Sequence, residues 1–360
     1  MSRLITIWVV LAGVAVGMSL WERNLGEGEV ASRDVQFRIG RLIRAAEREA
    51  IDATAVSIRT GENAGFLYLE VEDGVYRCPA IFNAIADADS IQALMNSLLN
   101  AEGVVVSRDP EKAKSYGFDL PGTMTVALHG PDVTPDGGDE RFAVELGRIT
   151  PDGKGCYVRR HDDAGVWVIE SNPYAPLALE KNRGRPPLLD PSVIPRIWPG
   201  ESRRIDRQEV TFFDSERGAS YAISIHDIEI TEEEMRKGKS PYEWHLHVGD
   251  AETVANHGSA VMWSSFIFFA PWSKIIDPSV IDRLGFDDPW ARVVLQPAIG
   301  EPGELILSKR PLDDGSWPIR FVNTNGVYSI PTAVRDLLVP RVDVFDESYT
   351  EDPWRPYFQR

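Results

Sequence analysis

The apolar residues of this chain fall into three rhythms. The first is unbroken: residues 4–20 read LITIWVVLAGVAVGMSL, with no charge among them. Seventeen residues at about 1.5 Å each reach the lower limit for a helix that spans a bilayer. Arg3 precedes the run and Trp21 follows it, which keeps the N-terminus in the cytoplasm and sets an indole at the far interface. The pattern predicts a retained single-pass anchor over residues 1–23. The competing reading is a cleaved signal peptide, since Ala15-Val16-Gly17 has the small-x-small spacing that a signal peptidase reads, but no polar region precedes those small residues.

The second rhythm is helical. In VQFRIGRLIRAAEREAI (residues 35–51), Ile39, Leu42, Ile43 and Ala46 share one face, so an amphipathic helix is expected after a short polar tether. The segment DSIQALMNSLLNA (89–101) places Ile91, Leu94, Met95 and Leu98 on one face, and a second main helix is expected near residues 251–263. TEEEMRKGKSP carries a capping box, Thr231 with Glu234, and predicts a short exposed helix. The third rhythm alternates. AVSIRT, FLYLEVEDGVYRCP, GVVVS, TMTVAL, RFAVELG and CYVRR…GVWVI read as strands with turns at Asp73-Gly74, Asp152-Gly153 and Ala164-Gly165. EVTFF, ASYAISI, YEWHLHV, FIFFAPW, ELILS and IRFVNTNGVYSI repeat that grammar later in the chain.

The repetition is sharpest at one phrase. DPEKAKSYGFDLP at Asp109 returns as DPSVIDRLGFDDP at Asp277. Asp109/Asp277, Pro110/Pro278, Gly117/Gly285, Phe118/Phe286, Asp119/Asp287, Pro121/Pro289 and Val126/Val294 match at a constant offset of 168 residues. Asp is a favoured N-cap, Pro suits the first helical position, and Gly suits the left-handed residue that ends a helix. The phrase therefore predicts a helix-turn-strand corner, with Phe118 and Phe286 folding back toward Ala113 and Ile281, and it predicts structure before chemistry.

These elements define an α+β fold of two tandem units, mostly antiparallel sheet with one main helix each. The expected organisation is an anchor (1–23), a tether and amphipathic helix (24–53), a first unit (54–172), a Pro-rich extended linker (173–204), a second unit (205–332) and an acidic, aromatic tail (333–360). The tail either covers the second unit or meets a partner.

Charge and composition narrow the function. The chain carries a formal −17; residues 1–23 contribute +1, so the exported part carries −18. That balance excludes a phosphate-tracking nucleic-acid surface. The two cysteines, Cys78 and Cys156, would lie in a compartment that permits a disulfide; a bridge and two buried thiols both fit the sequence. GRITPDGKG misses the phosphate-loop spacing by one residue and has Gly155 where Ser or Thr belongs, so a hairpin is expected. No G-x-S-x-G, H-E-x-x-H or C-x-x-C motif is present. The one metal candidate is His245-x-His247, whose imidazoles share a face if the stretch is a strand, with His226 or His257 as a third ligand. No cofactor is otherwise indicated.

The anchor, EDGVYRCP, DADSIQALMNSLLNA, the DPEKAKSYGFDLP phrase and VELGRITPDGKGCYVRR with GVWVI resemble the bacterial domain-of-unknown-function family 4340. Tyr76 stands where that family usually shows Trp. The resemblance implies a single-pass envelope protein of the inner membrane, its bulk extracytoplasmic, encoded beside gliding-motility-type ABC transporter components, with no catalytic residue to carry over. The expected function is an anchored binding or scaffold protein with a protein partner. The alternatives are an envelope hydrolase or metal-dependent enzyme using His245 and His247, and a carbohydrate- or peptide-binding module.

Overall fold

The computed structural model describes residues 39–60, 65–120, 123–178, 185–196, 204–213, 218–324 and 326–358. The expected membrane anchor and Pro121 lie outside the described residues. Within them no helix is long and apolar enough to cross a membrane.

The first unit runs β1 (Gly40–Arg41), α1 (Ala45–Ile51), β2 (Ala55–Thr60), β3 (Phe66–Glu72), β4 (Val75–Cys78), β5 (Ala84–Ile85), α2 (Ala88–Leu99), β6 (Glu102–Ser107), β7 (Met124–His129), β8 (Glu140–Ile149), β9 (Cys156–Arg160), β10 (Val166–Ile169) and α3 (Tyr174–Leu177). The second runs β11 (Ile205–Phe212), β12 (Tyr221–Asp227), α4 (Glu232–Arg236), β13 (Tyr242–Val248), β14 (Ala251–Val254), α5 (His257–Phe269), β15 (Lys274–Ile275), β16 (Pro289–Pro297), β17 (Gly303–Ser308), β18 (Trp317–Phe321), β19 (Gly326–Ile330) and α6 (Thr332–Leu338). Among the described residues the strands form two antiparallel sheets.

The first sheet is ordered β1-β6-β10-β9-β8-β7-β2-β3-β4-β5, and the second β15-β19-β18-β17-β16-β11-β12-β13-β14. Setting β1 aside, the two orders are identical: four strands, a helix, an outlying strand, the 3₁₀ corner, then four more strands. In each, the first strand of the unit pairs with the strand that follows the corner, β2 with β7 and β11 with β16. The helix lies between the fourth and fifth strands and buries an apolar stripe on the sheet, Ile91, Leu94, Met95 and Leu98 in α2 and Trp263, Phe266 and Ile267 in α5.

Each corner forms as its caps dictate. Asp109 accepts from the Glu111 amide at 3.0 Å and Asp277 from that of Ser279 at 2.8 Å, Pro110 and Pro278 open one 3₁₀ stretch each, and Gly117 and Gly285 take φ +88° and +75°. The helix is 3₁₀ and not α. Phe118 lies against Gly147 of β8 and beneath the Arg159 guanidinium, 5.1 Å from its ring centre. The two corners connect strands of different sheets.

Three expected elements are corrected. The amphipathic helix of residues 35–51 is helical only over Ala45–Ile51 in its described part; Gly40 and Arg41 pair with Gly103 and Glu102 on the sheet edge, and Leu42 and Ile43 insert into the core. The helix expected near 251–263 begins at His257, because Ala251–Val254 pairs with β13. FIFFAPW continues the helix to Phe269 instead of starting a strand. An uninterrupted apolar run carries no periodicity to separate the two.

The linker and the tail are also more than connections. A second echo explains them: buried Tyr68 on β3 donates its hydroxyl proton to the carbonyl of Pro187, and buried Tyr221 on β12 donates to that of Pro340 at 2.7 Å, both across 119 residues. Each unit is thus closed by the segment after its last strand, with α3 resting on α2 and α6 on α5. In the segment expected to be an extended linker, Leu188, Leu189, Val193 and Ile194 are buried, each worth roughly 1.5–3 kcal/mol of apolar transfer. Leu189 bridges to Ala86, beside β5, and Ser192 to Pro271 in the second unit. The segment is a strap joining both cores, and the buried side chains form one contiguous cluster. The tail covers α5: Phe345 and Trp354 are buried, and the Trp354 indole donates to the Leu337 carbonyl at 3.1 Å.

Candidate functional site

Register and alternation assemble a polar patch on the outer face of the second sheet. Ser224 and His226 alternate outward on β12, Glu243, His245 and His247 on β13, and Glu252 on β14. Antiparallel pairing sets Ser224 opposite His245, His226 opposite Glu243, and His247 opposite Glu252, so the two histidines expected from sequence gain His226 and Glu252 as diagonal or direct neighbours. His257 is not among them; it opens α5 and stacks on Tyr242, centroids 5.8 Å apart.

The patch is tightly connected. His245 Nδ1 lies 2.6 Å from Glu252 Oε1, and its Nε2 3.3 Å from Glu243 Oε2. His247 Nδ1 lies 3.8 Å from Glu252 Oε2, so one carboxylate straddles two imidazoles. Ser224 Oγ lies 3.0 Å from His226 Nε2 and 2.8 Å from His247 Nε2. The His226 and His245 rings stack at 4.1 Å, 7° from parallel. The hydrogen bond from His245 holds the Glu252 carboxyl below its ordinary range, and partial burial pushes His247 down. His226, His245 and Glu252 each offer a ligand atom within 4.8 Å of the others.

Beside this patch, a groove of about 510 Å³ is lined by Tyr242, Trp244, His257 and Glu347, among others. The first unit holds one buried polar pair that sequence reading missed. His129 Nε2 is 2.8 Å from Ser57 Oγ and its Nδ1 2.7 Å from the Gly138 carbonyl. A carbonyl only accepts, so Nδ1 carries the proton and Nε2 takes the serine's, the tautomer a serine nucleophile requires. His129 is 1% exposed, and the pair pins the loop after β7 onto the sheet. Its signal is a histidine in an apolar strand, which sequence cannot distinguish from other buried histidines.

The cysteines are free and buried. Cys78 on β4 and Cys156 on β9 stand five strand steps apart, about 24 Å along the sheet, beyond disulfide reach. Burial raises the thiols to about 11 and about 12. GRITPDGKG is the β8–β9 hairpin, with Gly153 at φ +75°. Asp119 and Asp287 are exposed turn residues.

Residues 77–183 match the family described as a domain of unknown function (DUF4340). The match begins in β4 and ends beyond α3. No curated protein and no solved structure matches the chain.

Proposed function

From a chain whose first unit carries a domain of unknown function (DUF4340), we propose a membrane-anchored, extracytoplasmic binding or scaffold protein, accessory to an ABC-type transport or other envelope complex. One observation carries the reading. Two sheets of the same strand order, each latched by its own Tyr-to-Pro bond, are sewn by the strap into a single core. A duplicated module joined through one buried cluster presents two related surfaces, which suits bridging between partners in one assembly. The uncharged run at residues 4–20 supports an anchor that holds this body at the inner membrane, and the acidic balance supports a protein partner over nucleic acid.

The test is purification of the full chain from membranes in mild detergent after in-cell crosslinking. Recovery of a stoichiometric membrane partner, lost when residues 1–23 are replaced by a cleavable leader, is the expected result. Recovery of the chain alone, or from the soluble cytoplasmic fraction, overturns it. The groove beside Tyr242 and Trp244 favours a carbohydrate- or peptide-binding module as the second reading; quenching of tryptophan fluorescence by oligosaccharides or peptides separates the two.

A further inference from the structure

We propose that His226, His245 and Glu252 bind one late first-row divalent metal ion, of the zinc, copper or nickel class. The inference is independent of the scaffold reading and stands on the donor set and its geometry. Two imidazoles and a carboxylate are ligands such ions select, with the fourth position open to water, whereas magnesium and calcium require oxygen donors.

Tetrahedral coordination at about 2.1 Å places ligand atoms about 3.4 Å apart. The atoms offered by His226, His245 and Glu252 lie within 4.8 Å of one another, so closure needs displacements of roughly 1 Å. Partly exposed side chains on a sheet supply those by rotation about their side-chain torsions. The His226 and His245 rings stack face to face with their planes nearly parallel, and it is this pair that turns to converge.

The proton count within the patch favours a cation. Ser224 has one hydroxyl proton but two imidazole Nε2 neighbours, so when both rings are neutral one of them donates to Ser224 and presents a bare Nδ1. His245 lies between two carboxylates, Glu252 on one nitrogen and Glu243 on the other. A neutral imidazole carries one proton and satisfies one of them, leaving a lone pair against an anionic oxygen. An ion that displaces these protons converts such lone-pair contacts into bonds, and Glu243 is then placed to accept from a ligating ring. Because the donors come from β12, β13 and the edge strand β14, the ion would tie the edge hairpin to the sheet.

The experiment is calorimetric titration of zinc chloride into the full chain in detergent. The expected result is one site per chain with micromolar affinity. His226→Ala, His245→Ala and Glu252→Gln each weaken it at least tenfold, His257→Ala leaves it unchanged, and magnesium and calcium give no heat. All four positions are exposed or partly exposed, and circular dichroism checks that each variant folds. Zinc is also expected to slow amide exchange in β14. Absence of binding below 100 times the protein concentration, binding untouched by His226→Ala and His245→Ala, or loss on His257→Ala overturns the proposal.

Discussion

The most discriminating stability test is the pair of latches. Tyr68→Phe and Tyr221→Phe each remove one hydroxyl and keep the ring, so the packing of Tyr221 on Trp263 and Phe345, with centroids at 6.0 and 5.5 Å, survives. Each loses one neutral hydrogen bond, worth about 1 kcal/mol net. Pro187 and Pro340 are buried, so each carbonyl is left without its partner inside the protein, at a further cost of up to about 2 kcal/mol. Each variant is therefore expected to lose about 1–3 kcal/mol, and the two should match because each hydroxyl, on the second strand of its unit, meets a buried proline carbonyl beyond the unit's last strand. They lie in different sheets, so the double variant should show their sum within about 0.5 kcal/mol. Urea unfolding followed by tryptophan fluorescence reads these values, and the contiguous core through the strap predicts a single transition. A Tyr68→Phe variant as stable as the parent, with a full loss in Tyr221→Phe, would refute the equivalence of the units. Two separate transitions would refute the joined core.

Further outcomes follow from buried polar groups. Gln208 on β11 is fully buried between Ile223 and Leu295, with neither amide atom hydrogen-bonded among the described residues; Gln208→Leu should raise stability by about 1–3 kcal/mol, seen as a higher urea midpoint. Cys78 and Cys156, buried and raised to about 11 and about 12, should resist an aromatic disulfide reagent at pH 8 and react as two thiols only after unfolding. Arg160 donates to Asp162, Glu47 and the Leu42 carbonyl from a side chain 11% exposed, so Arg160→Met should cost about 2–4 kcal/mol at pH 7. The Arg160 hydrogen bond holds the Asp162 carboxyl below its ordinary value. That contribution is present above the unfolded pKa, near 4, and lost as pH falls through the folded one. The gap between parent and variant should accordingly narrow below pH 4.

How far the fold could be read in advance depended on the range of the forces involved. The corners were legible because every cause is local: Asp109 and Asp277 cap within two residues, and the glycines turn where a side chain would strain. YEWHLHV formed the strand that alternation predicts, residue for residue. The strap was misread because proline and arginine dominate its composition, while Leu188, Leu189, Val193 and Ile194 are buried by contacts that sequence spacing does not carry. Tyr68 meets Pro187 across 119 residues. The histidine patch was half legible. Alternation put His245 and His247 on one face, but His226 and Glu252 joined them through cross-strand register, which is fixed only when the sheet forms.

Equivalence also sharpens what is particular to the second unit. Counting from the latched tyrosines, Leu69 follows Tyr68 as Ala222 follows Tyr221. Leu69 pairs with Arg77, and Ala222 with His247, so the first unit sets a permanently charged guanidinium where the second sets an imidazole. Arg77 donates to the Asn83 carbonyl at 3.1 Å and offers no lone pair to an ion. The two units keep the same strand order, corner and latch, all of which answer to packing. At the outward position paired with the residue after the latched tyrosine, the second unit gains a side chain that can offer a lone pair, where the first carries a cation. An ion-binding role for the patch is therefore a property of the second unit's own residues and not of the shared scaffold.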